Sequence, residues 1–423
     1  MGAARMSSFR QNDRLRTCSR TTVRAQSRMD RAIGSEAAAA RSAPAAIVAD
    51  IAGLAARHKV EGDRLRQLPP ALAEAFQRHD VYRLILPRDL GGGDVDPLDY
   101  LDLVEKVARV DGSTAWNLAI GAGSGLYVGY LPVERSRPMV ADVSSCIAGA
   151  YAPFGHGEIV DGGYRVSGHW GWASGAAQAR WMVFGFRVAA QDGTDETPPE
   201  IRQALAPREA FHVLDTWHAN GLRGTGSTEY EVDDLFVPSD MTFRVFLDKP
   251  KHPAPVFRLP GAFFGSAVAS VALGIGHGAT EGLKQLAVVK GRAKGGASGG
   301  NPLRQQAYAH YAVAKAEALV ESAKLYLDDA IEAIWCSILA GREIEPAQRE
   351  RARRACVQAA EASAEAVDLC CRAAGGHALF ESQPFGRALR DVRAAIAQIT
   401  LQRSAMEDAG RAAFGLEPLS PVF

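Results

Sequence analysis

The sequence lacks most of the features that would assign it to a specialised class of protein. Its six cysteines in 423 residues form no Cys-x-x-Cys pair, so their spacing predicts neither a disulfide framework nor a metal site. It has no uninterrupted run of 18 apolar residues, which argues against a membrane-spanning helix. Basic residues (48) equal acidic residues (48), so the net charge does not indicate a nucleic-acid partner. We therefore expect a cytoplasmic protein with no bound metal.

Several catalytic motifs are also missing, including the phosphate-binding P-loop, His-Glu-x-x-His and Gly-x-Ser-x-Gly. One dinucleotide-like motif is present at Gly274-Ile275-Gly276-His277-Gly278-Ala279. A dinucleotide fold also needs an acidic residue about 20 positions later, where Lys294–Gly300 has none. The flanking pattern is helical, so these glycines predict close packing between helices.

Hydrophobic periodicity divides the chain into an extension and three regions. Residues 1–43 are rich in Arg, Ser and Ala, which predicts a disordered or presequence-like extension; translation from Met29 is a further alternative. Residues 44–143 have helical periodicity, residues 144–250 have short strand-like runs with turns between them, and residues 251–423 are alanine-rich and helical.

Individual elements follow from local signals. Asp161-Gly162-Gly163 predicts a hairpin turn between two strands, and Trp181–Val188 and Tyr230–Pro238 are predicted strands. Pro302–Leu339 and Pro346–Ala374 are predicted helices whose lengths suit an antiparallel bundle.

Five segments carry a resemblance to a known family. They are Pro87-Arg88-Asp89-Leu90-Gly91-Gly92, Asp111-Gly112-Ser113-Thr114-Ala115-Trp116, Ser167-Gly168-His169-Trp170-Gly171-Trp172-Ala173-Ser174-Gly175, Asp215-Thr216-Trp217-His218-Ala219-Asn220-Gly221-Leu222-Arg223-Gly224-Thr225-Gly226-Ser227, and Gly375-Gly376 followed by Pro384, Arg387, Arg390 and Asp391. Because these segments occur in this order, the chain resembles the acyl-CoA dehydrogenase superfamily from about residue 45 to its end. The second to fourth segments look most like its two-component flavin monooxygenases, such as hydroxyphenylacetate hydroxylase oxygenase components and dibenzothiophene monooxygenase.

The resemblance implies an α+β, mainly α, acyl-CoA dehydrogenase fold. Its parts are an N-terminal helical domain, a middle β-barrel and a C-terminal four-helix bundle, assembled as a homotetramer. The implied reaction uses O2 and reduced FMN or FAD, delivered by a separate NAD(P)H-dependent reductase, to oxygenate a small molecule. An acyl-CoA dehydrogenase with tightly bound FAD is one alternative, and an inactive flavin-binding scaffold is a second.

The resemblance also implies which residues bind the flavin. In Trp172-Ala173-Ser174 the aromatic side chain can pack on the flavin ring, the alanine allows close approach of the backbone, and the hydroxyl can hydrogen-bond near N5. The alternative is a simple turn at the end of a strand. The loop containing Ala150 and Pro153 is expected to line the flavin as well.

Four further sites have individual assignments. Arg292, beside a glycine loop, is a candidate partner for a flavin phosphate, with a solvated surface arginine as the alternative. Gly375-Gly376 resembles a turn that meets a neighbouring subunit's flavin, although a glycine pair also ends helices. Trp116 is expected in the substrate pocket. Arg390-Asp391 reads as a structural ion pair.

The chain departs from its relatives where they place a base. Ile399 stands where acyl-CoA dehydrogenases with a C-terminal base have Glu, and Arg393 and Gln398 stand where hydroxylases commonly have His. Neither an arginine nor a glutamine accepts a proton at neutral pH. A phenol benefits from a base, whereas an indole-type ring, an amine or a sulfide is already nucleophilic. We therefore expect such a substrate, with Gln398 lining its pocket in place of a base.

Overall fold

The structure is a computed structural model that describes residues 44–189, 199–290 and 302–417. The extension 1–43 and the glycine-rich segment 291–300, which contains Arg292, lie outside the described residues. Predominantly helical segments flank a single sheet in the order that the sequence predicts. Buried apolar side chains from all three regions form one contiguous core.

The first region contains five helices among its described residues. They are α1 (Pro44–Leu65), α2 (Pro70–Arg78), α3 (Pro97–Ala108), α4 (Gly112–Ser124) and α5 (Val133–Met139). Aspartates begin two of them: the Asp96 carboxylate accepts a hydrogen bond from Leu98 N at 3.0 Å, and that of Asp111 accepts one from Thr114 N at 2.9 Å. Asp111 therefore begins the helix that carries Trp116.

The middle region forms a seven-stranded sheet. Its strands are β1 (Cys146–Val160), β2 (Gly163–Ala173), β3 (Ala179–Val188), β4 (Ile201–Pro207), β5 (His212–Val213), β6 (Thr228–Pro238) and β7 (Thr242–Phe243). The order is β5-β6-β2-β1-β3-β4-β7, with β1 and β3 parallel and the other pairs antiparallel. Val160 pairs with Gly163 across the predicted hairpin turn, where Gly162 has φ +78°. Closure of this sheet into a barrel stays a prediction.

The last region is helical. Its helices are α6 (Gly261–Lys290), α7 (Ala307–Leu339), α8 (Pro346–Ala374), α9 (Phe385–Ile396) and α10 (Arg403–Ala413). The predicted bounds of α8 are confirmed. The predicted start of α7 at Pro302 is wrong, because Leu303–Gln305 forms a 3-10 turn and Gln306 is extended, which delays the helix to Ala307. Helices α6, α7, α8 and α9 pack on one another.

The dinucleotide-like glycines lie inside α6, as the helix-packing interpretation predicted. A Cβ atom at Gly274 would lie 2.3 Å from the Glu105 carbonyl oxygen of α3, so the two helices meet closely only because this residue is glycine. Helix α6 is also the one described helix whose length and apolar character would suffice to cross a membrane. However, 78% of its apolar window is buried against the rest of the chain, as in a core helix.

Candidate active site

A bulge near the end of β2 turns one aromatic side chain outward. The register between β2 and β6 shifts between Trp170 and Ala173. Trp170 lies in the core with 1% of its surface exposed, whereas Trp172 is 66% exposed and has φ +65°. Large residues rarely adopt a positive φ, and such backbone conformations concentrate at functional sites. The bulge therefore leaves the indole ring at the surface instead of burying it.

The residue that ends this segment belongs to a buried chain of hydroxyl groups. Trp116 Nε1 donates a hydrogen bond to Ser174 Oγ at 2.9 Å, and Ser174 Oγ lies 2.7 Å from Ser227 Oγ. Ser227 Oγ in turn lies 2.7 Å from Thr225 Oγ1. If Thr225 and Ser227 donate along this chain, the O–H of Ser174 is left to donate to a ligand. The structure thus brings two predicted site residues, Trp116 and Ser174, into direct contact.

The same neighbourhood joins three of the segments that carry the family resemblance. The Asn117 side chain donates to the carbonyl oxygens of Ser113 (3.1 Å) and Gly224 (3.0 Å). Gly175 N donates to Thr225 O at 2.9 Å. These bonds tie helix α4, the end of β2 and the turn before β6 together. Residues distant in sequence therefore hold the Ser174 hydroxyl in place.

A second irregular segment lies in β1. Its ladder with β3 is interrupted between Ala150 and Gly155. Ala150 N donates to Tyr230 Oη at 2.9 Å, and Arg187 Nη1 donates to the Pro153 carbonyl at 2.5 Å. The interruption leaves backbone groups outside the regular sheet ladder, where a ligand's polar edge can use them. Ala150 and Pro153 belong to this bulge within a strand, where a loop was expected, and their contact with a flavin stays a prediction.

A small cleft opens between this bulge and the helices. Eight residues line it: Tyr151, Phe246, Gly261, Ala262, Gly265, Arg353, Cys356 and Thr400. The rings of Tyr151 and Phe246 meet edge to face with centroids 6.2 Å apart.

Gln398 lies behind the cleft, and Thr400 lies on it. The Gln398 side-chain oxygen accepts hydrogen bonds from Thr400 N at 2.6 Å and from the Thr400 hydroxyl. A Cβ atom at Gly265 would lie 3.2 Å from the Thr400 side chain, so the glycine allows Thr400 to pack against α6. Gln398 thus contacts the cleft lining through Thr400 and is not itself among the eight lining residues.

None of the eight lining residues is suited to accept a proton at neutral pH. Burial raises the pKa of the Cys356 thiol to about 12 and also raises the pKa of Tyr151. Desolvation lowers the pKa of Arg353, and the charge of Asp408 opposes that shift, but arginine stays protonated in proteins. The lining contains no carboxylate and no imidazole. The cleft can therefore bind and orient a substrate without a general base of its own.

These features fit the isoalloxazine ring of a flavin. Such a ring needs a flat apolar surface and hydrogen-bonding groups at its edge. The exposed indole of Trp172 offers the surface, and the Ser174 hydroxyl and the β1 bulge offer polar groups.

Comparison with known proteins supports the same family. Residues 266–403 match the acyl-CoA dehydrogenase C-terminal domain. The chain is 31% identical to indole-3-acetate monooxygenase from Pseudomonas putida over 366 residues, covering 85% of this chain and 90% of that protein. It is 30% identical to the oxygenase subunit HsaA of a flavin-dependent monooxygenase from Rhodococcus jostii, covering 79% and 88%. The crystal structure of 3-HSA hydroxylase from Rhodococcus sp. RHA1 superposes with a TM-score of 0.81 at 27% identity, covering 89% and 97%.

The chain belongs to the flavin-dependent monooxygenases of the acyl-CoA dehydrogenase superfamily. It is an enzyme that uses reduced flavin. Among the initial alternatives, the monooxygenase interpretation is therefore confirmed.

Two other features that the sequence predicted for the monooxygenase lie outside the group formed by Trp172, Ser174 and the cleft. Gly375 follows α8 with φ +60°, and neither Gly375 nor Gly376 has a heavy atom within 4 Å of an added Cβ in the described chain. The pair faces open space, so its contact with a neighbouring subunit stays a prediction. Asp391 does not pair with Arg390: its carboxylate accepts from Leu222 N at 2.7 Å.

Sequence reasoning missed the main cleft residues of the monooxygenase. Arg353, Cys356 and Thr400 lie outside the five segments that carry the family resemblance. One signal was available, because Arg353 shares a helical face with Cys356 and Ala360, both buried. A basic residue one turn before two buried small residues of α8 could have been noted as a candidate lining residue.

Proposed function

We propose that this monooxygenase oxygenates an electron-rich small molecule, with an indole-type ring favoured over an amine or a sulfide. One observation carries the proposal: the cleft lining has two aromatic rings and no group that can remove a proton. A phenol would need such a group, and so would removal of a substrate α-proton by a dehydrogenase. The similarity to indole-3-acetate monooxygenase supports the indole-type ring.

Each part of the site has a proposed role. Reduced FMN or FAD supplies two electrons, so that one oxygen atom of O2 is bonded to the substrate and the other leaves as water. Trp172, Ala173, Ala150 and Pro153 hold the flavin, and Ser174 donates a hydrogen bond near its reacting edge. Tyr151 and Phe246 orient the substrate ring, and Thr400, positioned by Gln398, offers a hydroxyl. Because the cleft is small and partly apolar, bound substrate excludes water.

The protein's partners and assembly are part of the same proposal. Relatives named as oxygenase subunits or components indicate a separate flavin reductase. The homotetramer, with Gly375-Gly376 against a neighbouring subunit's flavin and Arg292 on a flavin phosphate, is supported by the family resemblance. The same support applies to the division into domains at residues 44–143, 144–250 and 251–423. It also applies to the barrel, the four-helix bundle and the cytoplasmic location.

The proposal predicts a substrate preference. Purified protein supplied with reduced FMN or FAD and O2 should convert indole to an oxygenated product, and should convert phenol at least about tenfold more slowly because phenol lacks a base to activate it. Mass spectrometry with ¹⁸O2 measures both products, and a reaction without protein is the control. Equal conversion of phenol would show that the missing base does not decide the substrate.

A further inference from the structure

One hydroxyl group of the cleft lining has its proton committed to the protein. Gln398 Oε1 accepts a hydrogen bond from Thr400 N at 2.6 Å and a second one from the Thr400 hydroxyl. A backbone N–H can only donate, so the Gln398 side-chain atom that faces it is the oxygen and not the amide nitrogen. An amide oxygen can only accept, so the Thr400 hydroxyl donates its single proton to Gln398. The lone pairs of Thr400 Oγ1 are what remains for a ligand.

The Thr400 oxygen lies on the side of that residue that faces α6. A Cβ atom added at Gly265 of α6 would lie 3.2 Å from Thr400 Oγ1 and 3.5 Å from Cys356 Sγ, and all three residues line the cleft. Because Gly265 has no side chain, this residue leaves the oxygen uncovered. Thr400 is half-buried. The fold therefore presents to the cleft a hydroxyl that accepts but does not donate.

We propose that Thr400 determines substrate specificity by accepting a hydrogen bond from the N–H of an aromatic ring that lies against Tyr151 and Phe246. This inference rests on the proposed function, since it states which group of the indole-type ring the cleft recognises. A site built to pair with a substrate N–H rejects an analogue that lacks it, because the acceptor then loses water without gaining a partner. A sulfide or a tertiary amine carries no such donor, so the same oxygen disfavours both.

The test compares indole with benzofuran, in which a ring oxygen replaces the N–H in a bicycle of nearly the same shape. Calorimetry without O2 and with reduced FMN or FAD present measures both dissociation constants on the full-length protein and four variants. Thr400→Val removes the hydroxyl at nearly constant shape, Thr400→Ser keeps it, and Gln398→Ala frees its proton. Thr280→Val is the matched control, because Thr280 of α6 donates to Gly276 O at 2.9 Å and is outside the cleft lining.

We expect the wild-type protein to bind indole about tenfold more tightly than benzofuran, the effect of one hydrogen bond. Thr400→Val should abolish that preference by weakening indole binding, whereas Thr400→Ser and Thr280→Val should keep it. Gln398→Ala should narrow it, because the freed hydroxyl is no longer held as an acceptor and can donate to the benzofuran oxygen.

Three results would overturn the inference: no preference in the wild type, a preference that survives in Thr400→Val, or an unchanged preference in Gln398→Ala. Equal weakening of both probes in Thr400→Val and Thr400→Ser would also overturn it, because Thr400 would then act only through packing. Oxygenation of indole tests the proposed function separately. Oxygenation without a binding preference would leave the proposed function standing, whereas a preference without oxygenation would support the role of Thr400 and contradict the proposed reaction.

Discussion

Two charged side chains in this monooxygenase, the buried Glu105 and the half-buried Arg353, differ in what surrounds them. Glu105 of α3 is 1% exposed and lies against three basic groups: its carboxylate is 2.7 Å from His277 Nδ1, 2.7 Å from Arg109 Nη2 and 3.2 Å from Lys324 Nζ. These partners come from α6, from α7 and from Arg109, the residue that follows α3. Arg353, by contrast, belongs to the lining of the cleft, and the charge of Asp408 favours its ionised form. A charge enclosed by the fold therefore differs from one that borders a cleft, and buried charge alone does not identify a binding site.

The pKa of Glu105 fits a structural role. Burial alone would raise it, but the hydrogen bond from His277, the charge of Lys324 and the hydrogen bond from Arg109 together lower it to about 2. The cluster joins three helices around the residues where Gly274 allows close packing. Its charges are thus satisfied within the protein and have no evident ligand to bind.

The largest effect should come from breaking this cluster. Glu105→Gln removes the buried charge that His277, Arg109 and Lys324 share, so the free energy of unfolding should fall by about 3 kcal/mol. Urea denaturation measures the loss, and Asp102→Asn, which breaks the more exposed pair with Lys106, is the control with an expected loss of at most about 1 kcal/mol. If the Glu105→Gln variant were as stable as the wild type, the Glu105 charge would not stabilise the fold, and the contrast between Glu105 and Arg353 would be lost.

The lowered pKa also gives this prediction a pH dependence. An acid whose folded pKa lies below its ordinary value contributes stability that is present above the ordinary pKa and is lost as pH falls through the folded one. For Glu105 that window runs from 4.5 down to about 2. The difference in stability between wild type and Glu105→Gln should therefore shrink across this window.

The next largest effect should come from a change at Ser174. It tests whether the Ser174 hydroxyl acts on the flavin or only stabilises the protein structure. Ser174→Ala removes one donor from a buried site, an effect of roughly 1–3 kcal/mol. Release of hydrogen peroxide from reduced flavin and O2 should then rise by about one order of magnitude. Ser227→Ala is the matched control, because it keeps the bond between Trp116 and Ser174. Unchanged peroxide release in Ser174→Ala would place this hydroxyl among the purely structural groups.

The smallest effect concerns Gln398 as a positioning residue for Thr400. Gln398→Ala removes the acceptor of two hydrogen bonds, so KM for indole should rise roughly threefold to tenfold while kcat changes little. Steady-state kinetics measures KM and kcat separately, and the Thr400→Val variant is measured for comparison. If Thr400→Val raises KM and Gln398→Ala does not, Gln398 has no positioning role.

Local signals in the sequence determined much of this protein. Helical periodicity and the Glu345-Pro346 start defined α8, and the Asp-Gly turn placed the hairpin between β1 and β2, because these features depend on neighbouring residues. The family segments indicated Trp116, Trp172 and Ser174 and the flavin chemistry. The absence of a base at Gln398 and Ile399 could also be read directly from the sequence.

Only the tertiary structure decided which residues meet. Tyr151 from a bulge in β1, Arg353 from α8 and Thr400 from the loop before α10 line one cleft, although about 200 residues separate the first two. Gln398 was expected to line the substrate pocket, which stays a prediction, and the fold bonds it to Thr400 of the cleft lining. Periodicity records which face of an element is buried, but not which distant element covers that face. The cleft therefore depends on long-range packing that no local pattern contains.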